Sequence, residues 1–159
     1  MGLKVLAVYP SRCVGCRICE QWCSWKHHGT VSPARSRVTV TRMHRQYVNV
    51  PVACSQCSRA PCVAACPVGA LQRDGVTGGL ALDVDACTGC RLCLESCPRG
   101  AIKMDAGSGV PLVCDLCGGD PECAKHCAER ALVYEEADKI AGGYQERYLA
   151  AVARGRDCS

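Results

Sequence analysis

Cys87-Thr88-Gly89-Cys90-Arg91-Leu92-Cys93-Leu94-Glu95-Ser96-Cys97-Pro98 carries four cysteines at the spacing C-x2-C-x2-C-x3-C, with proline directly after the last. The same spacing recurs at Cys13, Cys16, Cys19 and Cys23. Two more groups, Cys54, Cys57, Cys62, Cys66 and Cys114, Cys117, Cys123, Cys127, keep the opening C-x2-C and the closing C-x3-C. They widen only the middle gap, to four and five residues. Of the 17 cysteines only Cys158 falls outside these groups, and it reads as a free tail thiol. A unit repeated four times is the first feature that any fold of this chain must accommodate.

The rest of the composition makes the cysteines more important. The chain has 159 residues, enough for one compact domain or two very small ones. Its hydrophobic fraction of 48% counts the cysteines; Leu, Ile, Val and Phe together make up just under a fifth, and only seven residues are aromatic. That stock lies near the disorder boundary, yet the net charge of +4 is too small to argue for disorder. Something other than side-chain packing must organise the core. Disulfides would need export to an oxidising compartment. The apolar run within Met1–Pro10 is too short for a signal segment, lacks a small-residue cleavage site and has no twin arginine. No stretch approaches a membrane span. The sequence therefore predicts a cytoplasmic chain, whose thiols stay reduced and bind metal.

Short apolar runs surround the groups: Leu3 to Tyr9 before the first, Leu80 to Val84 before the third, Ala101 to Met104 after it, and Ala131 to Tyr134 after the fourth. Each reads as a strand, and segments such as Arg91 to Cys97 read as short helices. Between groups one and two lies an insert, Ser24 to Ala53. Its alternating Val38, Val40 and Val48, Val50, Val52 predict a hairpin turning at Arg42 to Gln46. Ile140, Tyr144, Tyr148 and Val152 recur every fourth residue and predict an amphipathic C-terminal helix, weakened by Gly142-Gly143.

C-x2-C-x2-C-x3-C is the bacterial ferredoxin ligand run. A tight loop wraps three corners of a [4Fe–4S] cubane, and the fourth cysteine ligates the other cluster of a pair. Four groups predict four [4Fe–4S] clusters held by sixteen thiolates. The rival is a structural zinc-binding interaction protein, but zinc ribbons use two separated C-x2-C pairs rather than four close thiols ending in C-x3-C. No group lacks a fourth cysteine, so no iron is left open for radical chemistry. Each oxidised cluster with its thiolates carries about −2. The formal +4 thus becomes roughly −4, and the basic sequence does not point to nucleic acid.

The motifs Pro51-Val52-Ala53-Cys54-Ser55-Gln56-Cys57, Ala60-Pro61-Cys62, Cys66-Pro67-Val68-Gly69-Ala70-Leu71, Asp85-Ala86-Cys87-Thr88-Gly89-Cys90 and Val113-Cys114-Asp115-Leu116-Cys117 carry a family likeness. Over roughly residues 3 to 134 the chain resembles the four-cluster ferredoxin-type subunits of molybdenum and tungsten oxidoreductases, some hydrogenases and carbon monoxide dehydrogenase. Cys16-Arg17-Ile18-Cys19-Glu20-Gln21-Trp22-Cys23-Ser24-Trp25-Lys26-His27-His28-Gly29 is similar to the small iron–sulfur subunits of tungsten aldehyde oxidoreductase and benzoyl-CoA reductase complexes.

The resemblance implies that groups one and four pair, as do two and three. One cluster then takes Cys13, Cys16, Cys19 and Cys127; its neighbour takes Cys114, Cys117, Cys123 and Cys23. A third takes Cys54, Cys57, Cys62 and Cys97; the fourth takes Cys87, Cys90, Cys93 and Cys66. Proline follows Cys66 and Cys97, but Ser24 and Ala128 follow Cys23 and Cys127, a departure from the motif in the outer pair. The expected fold is α+β: two fused ferredoxin-like units in residues 1–134, with the outer pair from 1–23 and 101–134 and the inner pair from 50–100. The hairpin insert 24–53 and a helix and tail at 135–159 lie outside.

There are no convergent acid–base groups, nucleotide loop or nucleophile motif. The expected role is single-electron transfer from a tungsten or molybdenum catalytic subunit, with tungsten aldehyde oxidoreductase preferred. A flavoprotein or further copies of the chain, stacked head to tail, would meet the other end. Benzoyl-CoA reductase, hydrogenase, formate and carbon monoxide dehydrogenase complexes are the rivals. Trp22 and Trp25 are expected to keep water from a cluster, or simply to pack. His27 and His28 are not expected to be ligands, since every group is complete. The basic insert is expected to dock an acidic partner.

Overall fold

The third cysteine of every group is the second residue of a helix. In the computed structural model, which describes residues 4–43 and 47–153 without the side chains of 144 and 147–153, α1 spans Ile18–His28, α2 Pro61–Ala64, α3 Leu92–Glu95 and α4 Glu122–Lys125. Cys19, Cys62, Cys93 and Cys123 are all buried. The loops leading to these helices share a local conformation. In each C-x2-C the residue before the second cysteine has positive φ: Gly15, Gln56, Gly89 and Leu116. Glycine reaches this region freely. Gln56 and Leu116 reach it against about 1–2 kcal/mol each, the kind of strain that gathers at ligand loops.

Strands join the groups to one another. β1 (Lys4–Val8) precedes group one and pairs antiparallel with β8 (Leu132–Glu136), which follows group four, with Leu6 opposite Tyr134. β4 (Leu71–Arg73) and β5 (Leu80–Leu82) pair between groups two and three; β6 (Lys103–Met104) and β7 (Pro111–Leu112) pair between groups three and four. β2 (Thr39–Met43) and β3 (Val48–Val52) form the hairpin of the insert. All four sheets are two-stranded, and α5 (Ala137–Ala153) follows β8. The architecture is α+β, as expected.

Two apolar cores result, both rich in sulfur. The first gathers Leu6, Val38, Val40, Leu116 and Leu132 around Cys19, Cys23 and Cys123, with Cys13, Cys114 and Cys127 packed against it. The second gathers Leu71, Leu80, Ile102 and Val113 around Cys62 and Cys93, with Cys54, Cys66 and Cys97 at its edge.

Several local expectations need correction. The run Leu80 to Val84 ends as a strand at Leu82, because Asp83 turns the chain by accepting from the N–H groups of Asp85 and Ala86. β4 and β7 are too short to show alternation and are not evident from sequence. α1 runs on past Cys23 because Ser24, not proline, follows; it ends at Gly29, with φ 65°, whose N–H donates to Trp25 O. Leu3, residues 44–46 of the predicted turn and Cys158 lie outside the described residues.

The insert is not peripheral. Val38 and Val40 are 2% and 4% exposed, and the Val40 N–H donates to the buried Glu20 carboxylate at 2.6 Å. Arg35 makes a two-pronged contact with Asp105 at 3.2 Å, and Lys103 Nζ donates to Pro33 O. The inward valines cover sulfur-lined space that nothing else in an apolar-poor chain fills. Val40→Ala is therefore expected to lower the stability of the iron-loaded protein by about 2 kcal/mol. Thr41→Ala, on the exposed face, should change it by less than about 0.5 kcal/mol. Thermal midpoints compare the two, and equal shifts would contradict the buried placement.

Candidate functional site

The sixteen described cysteines are all free, and they gather across groups rather than only within them. Cys13, Cys16, Cys19 and Cys127 line one cavity, between α1 and the turn after α4. Cys54, Cys57, Cys62 and Cys97 line a second, and Cys87, Cys90, Cys93 and Cys66 a third. Cys123 lies within electrostatic reach of Cys114, Cys23 and Cys117. Cys114 in turn senses Cys54, so this last set neighbours the set of the second cavity.

The donor chemistry fits [4Fe–4S] clusters. Burial pushes the Cys19 and Cys114 thiols up to about 12 and the Cys123 thiol well above its ordinary value. A shift of three units makes each bare thiolate unfavourable by roughly 4 kcal/mol, which bound iron offsets. Spacing separates iron–sulfur from zinc. Among the described residues the only three potential ligand atoms all within 4.8 Å of one another belong to His27, Asp115 and Cys117. No three cysteine sulfurs come that close. Four thiolates about 2.3 Å from one zinc ion would lie about 4 Å apart. A cubane, whose irons occupy separate corners, takes the wider set.

Backbone and side chains supply hydrogen bonds to the sulfurs. The Ala131 N–H donates to Cys127 Sγ at 3.2 Å and the Ala101 N–H to Cys97 Sγ at 3.4 Å, an equivalent contact four residues on. The Arg37 N–H donates to Cys23 Sγ at 3.2 Å. Hydrogen bonding from the Leu71 backbone holds the Cys66 thiol below its usual value. His27 Nε2 lies 3.6 Å from Cys117 Sγ. Burial and then Arg37 hold that ring down to about 4, so it is neutral near pH 7.

Trp22 stacks on His126, with ring centroids 3.7 Å apart and planes 7° from parallel. The stack joins the residue before Cys23 to the residue before Cys127, and His126 lines the first cavity. Trp25 is 53% exposed and does not shield a cluster as expected; α1 turns it to the open side. The basic insert is also less free than its sequence suggests, because Arg35 is bound to Asp105 and Arg37 to Asp115. Hydrogen bonds from Ser108 and then Arg35 hold the Asp105 carboxyl below the usual range. Sequence reasoning missed Glu20, Asp115 and His126. Their one available signal was adjacency to a cysteine.

Comparison with known proteins agrees with this chemistry. A family model described as a 4Fe-4S dicluster domain matches residues 45–137. The polyferredoxin-like subunit of an aliphatic sulfonate oxidoreductase from Pyrococcus furiosus is 37% identical over 143 residues, covering 90% of this chain and 81% of that protein. The electron transport protein HydN of Escherichia coli is 31% identical over 153 residues, covering 82% and 86%. Among solved structures, the active-site complex BamBC of benzoyl-CoA reductase with benzoyl-CoA contains a chain matched at 26% identity and a TM-score of 0.51, covering 98% of this chain and 97% of that one. Among the described residues no helix is long and apolar enough to cross a membrane. The chain belongs to the 4Fe-4S dicluster-domain family of ferredoxin-type electron-transport proteins.

Proposed function

We propose that this chain carries single electrons through four [4Fe–4S] clusters between the catalytic subunit of a tungsten aldehyde oxidoreductase and a second carrier. The cross-group gathering of cysteines carries the reading. Three complete four-cysteine sets line three cavities, each drawing its fourth member from a different group. Cys23, Cys114, Cys117 and Cys123 form the fourth ligand set, and the chain divides into two fused ferredoxin-like units in 1–134 with a tail at 135–159. The two sulfur-rich cores support that division.

The contact between Cys54 and Cys114 supports a linear order, with the sets of Cys16 and Cys90 at the ends. Cys16 and Cys90 are the only exposed cysteines among the described residues. Each end is thus an electron port. One faces the catalytic subunit; the other faces a flavoprotein or another copy of the chain. Side chains holding only iron–sulfur clusters make the chain non-catalytic by itself, and its many reduced thiols suit the cytoplasm.

Benzoyl-CoA reductase is the second reading, favoured by the full-length likeness to the BamBC chain. Anaerobic purification of the native complex distinguishes the two. A co-purifying tungsten subunit, with cluster bleaching on addition of an aldehyde, is the expected result. Bleaching linked only to the benzoyl-CoA couple would support the second reading, and no cluster response with either would overturn both.

A further inference from the structure

Resting on the ligand reading above, we propose that His27, positioned by Arg37 and Asp115, donates a hydrogen bond to Cys117 Sγ and raises the midpoint potential of one cluster, that of Cys23, Cys114, Cys117 and Cys123. The residues come from three distant parts of the chain: the last turn of α1, the insert and the loop of group four. His27 Nε2 lies 3.6 Å from Cys117 Sγ and 3.5 Å from Asp115 Oδ1. The Arg37 guanidinium lies 2.9 Å from Asp115 Oδ2 and 3.0 Å from the ring nitrogen. Asp115 also accepts the Cys117 N–H at 2.9 Å, which ties the network to the ligand loop.

The proton on the ring is assigned by its surroundings. Nε2 faces two acceptors, the Cys117 thiolate of the loaded protein and the Asp115 carboxylate. Arg37 has its own acceptor in Asp115 Oδ2, so the tautomer protonated on Nε2 satisfies all three groups. The alternative use of His27, Asp115 and Cys117 is a separate metal ion. The sulfur is already committed to a cluster, and the guanidinium beside the ring nitrogen repels a second cation.

Geometry makes the effect specific to one cluster. The His27 and Arg37 side chains are 10% and 19% exposed, so their dipoles and charge act through little water. The arginines lining the three other sets, Arg17, Arg73, Arg99 and Arg91, are exposed and screened. No other cysteine sulfur meets a ring nitrogen among the described residues. Donation to a ligand sulfur stabilises the more negative, reduced cluster and so raises its potential. Because this set neighbours that of Cys54, the raised step falls inside the chain rather than at an end.

Redox titration followed by electron paramagnetic resonance, on full-length iron-loaded protein, tests the proposal. His27→Phe is expected to retain all its iron. It should shift the reduced fraction of one cluster at least tenfold towards oxidised, about 59 mV lower for one electron. His27→Gln, which keeps a donor, should restore most of the shift. Asp115→Asn removes a negative charge and should move the same cluster in the opposite direction; it decides the matter if the phenylalanine variant fails to assemble. Unmoved potentials in a fully loaded His27→Phe or Asp115→Asn protein would overturn the tuning role, as would equal shifts in His27→Phe and His27→Gln. A wild-type protein with fewer than about sixteen iron atoms would overturn the ligand reading, and the tuning role with it.

Discussion

Chain produced without iron is expected to show no cooperative thermal transition, while iron-loaded chain melts cooperatively. The buried core explains why. Its largest fully buried side chains include only three of substantial apolar size, Leu71, Leu116 and Leu132. The remainder of both cores is small aliphatic groups and cysteines. The four sheets are two-stranded, and such pairs are marginal by themselves in water. α2, α3 and α4 have four residues each, far below the length at which helices persist alone. Binding one structural metal ion contributes about 10–16 kcal/mol in small metal domains. A whole domain retains only about 5–15 kcal/mol of net stability. Losing four clusters therefore removes more than the fold has to spare. Differential scanning calorimetry under anaerobic conditions makes the comparison, and a cooperatively melting iron-free chain would refute it.

Substituting a fourth cysteine should damage a cluster distant in sequence. Cys127→Ala is expected to abolish or convert the cluster at Cys13, Cys16 and Cys19 and to leave the cluster at Cys114, Cys117 and Cys123 with its fourth ligand, Cys23. Cys97→Ala should likewise damage the cluster at Cys54, Cys57 and Cys62. Each change should affect about one quarter of the iron, the share of one cluster in four. Cys127 faces the first cavity with Cys13 and Cys19, and Cys97 faces the second with Cys54 and Cys62. Magnetic resonance spectra of the two variants should each lack a different cluster signal. Loss of the cluster local to the substituted group would show that the crossing is wrong.

Much of this organisation was legible because cysteine spacing is a direct constraint on loop geometry. The third cysteine of each group sits on a helix and the C-x2-C loop turns through a left-handed residue, whether or not glycine is present. β1 and β8 were legible as runs, but their pairing was not, since more than a hundred residues separate them and no local pattern specifies a partner. The insert misled in a different way. Its charge is conspicuous in sequence, yet charge says nothing about whether a carboxylate waits inside the fold. Asp105 and Asp115 do wait there, and they bind Arg35 and Arg37. The buried alternation of Val38 and Val40 was visible, but which surface it would cover depended on the tertiary position of Glu20 and group one. The His27 network was hidden for the same reason: Cys117 and His27 lie 90 positions apart.

Quantitative iron and acid-labile sulfide analysis of anaerobically purified wild-type chain, per mole of polypeptide, tests the central claim most directly. Four [4Fe–4S] clusters predict about sixteen iron and about sixteen sulfide. About four zinc with no sulfide, or an iron content near that of only two clusters, would contradict it.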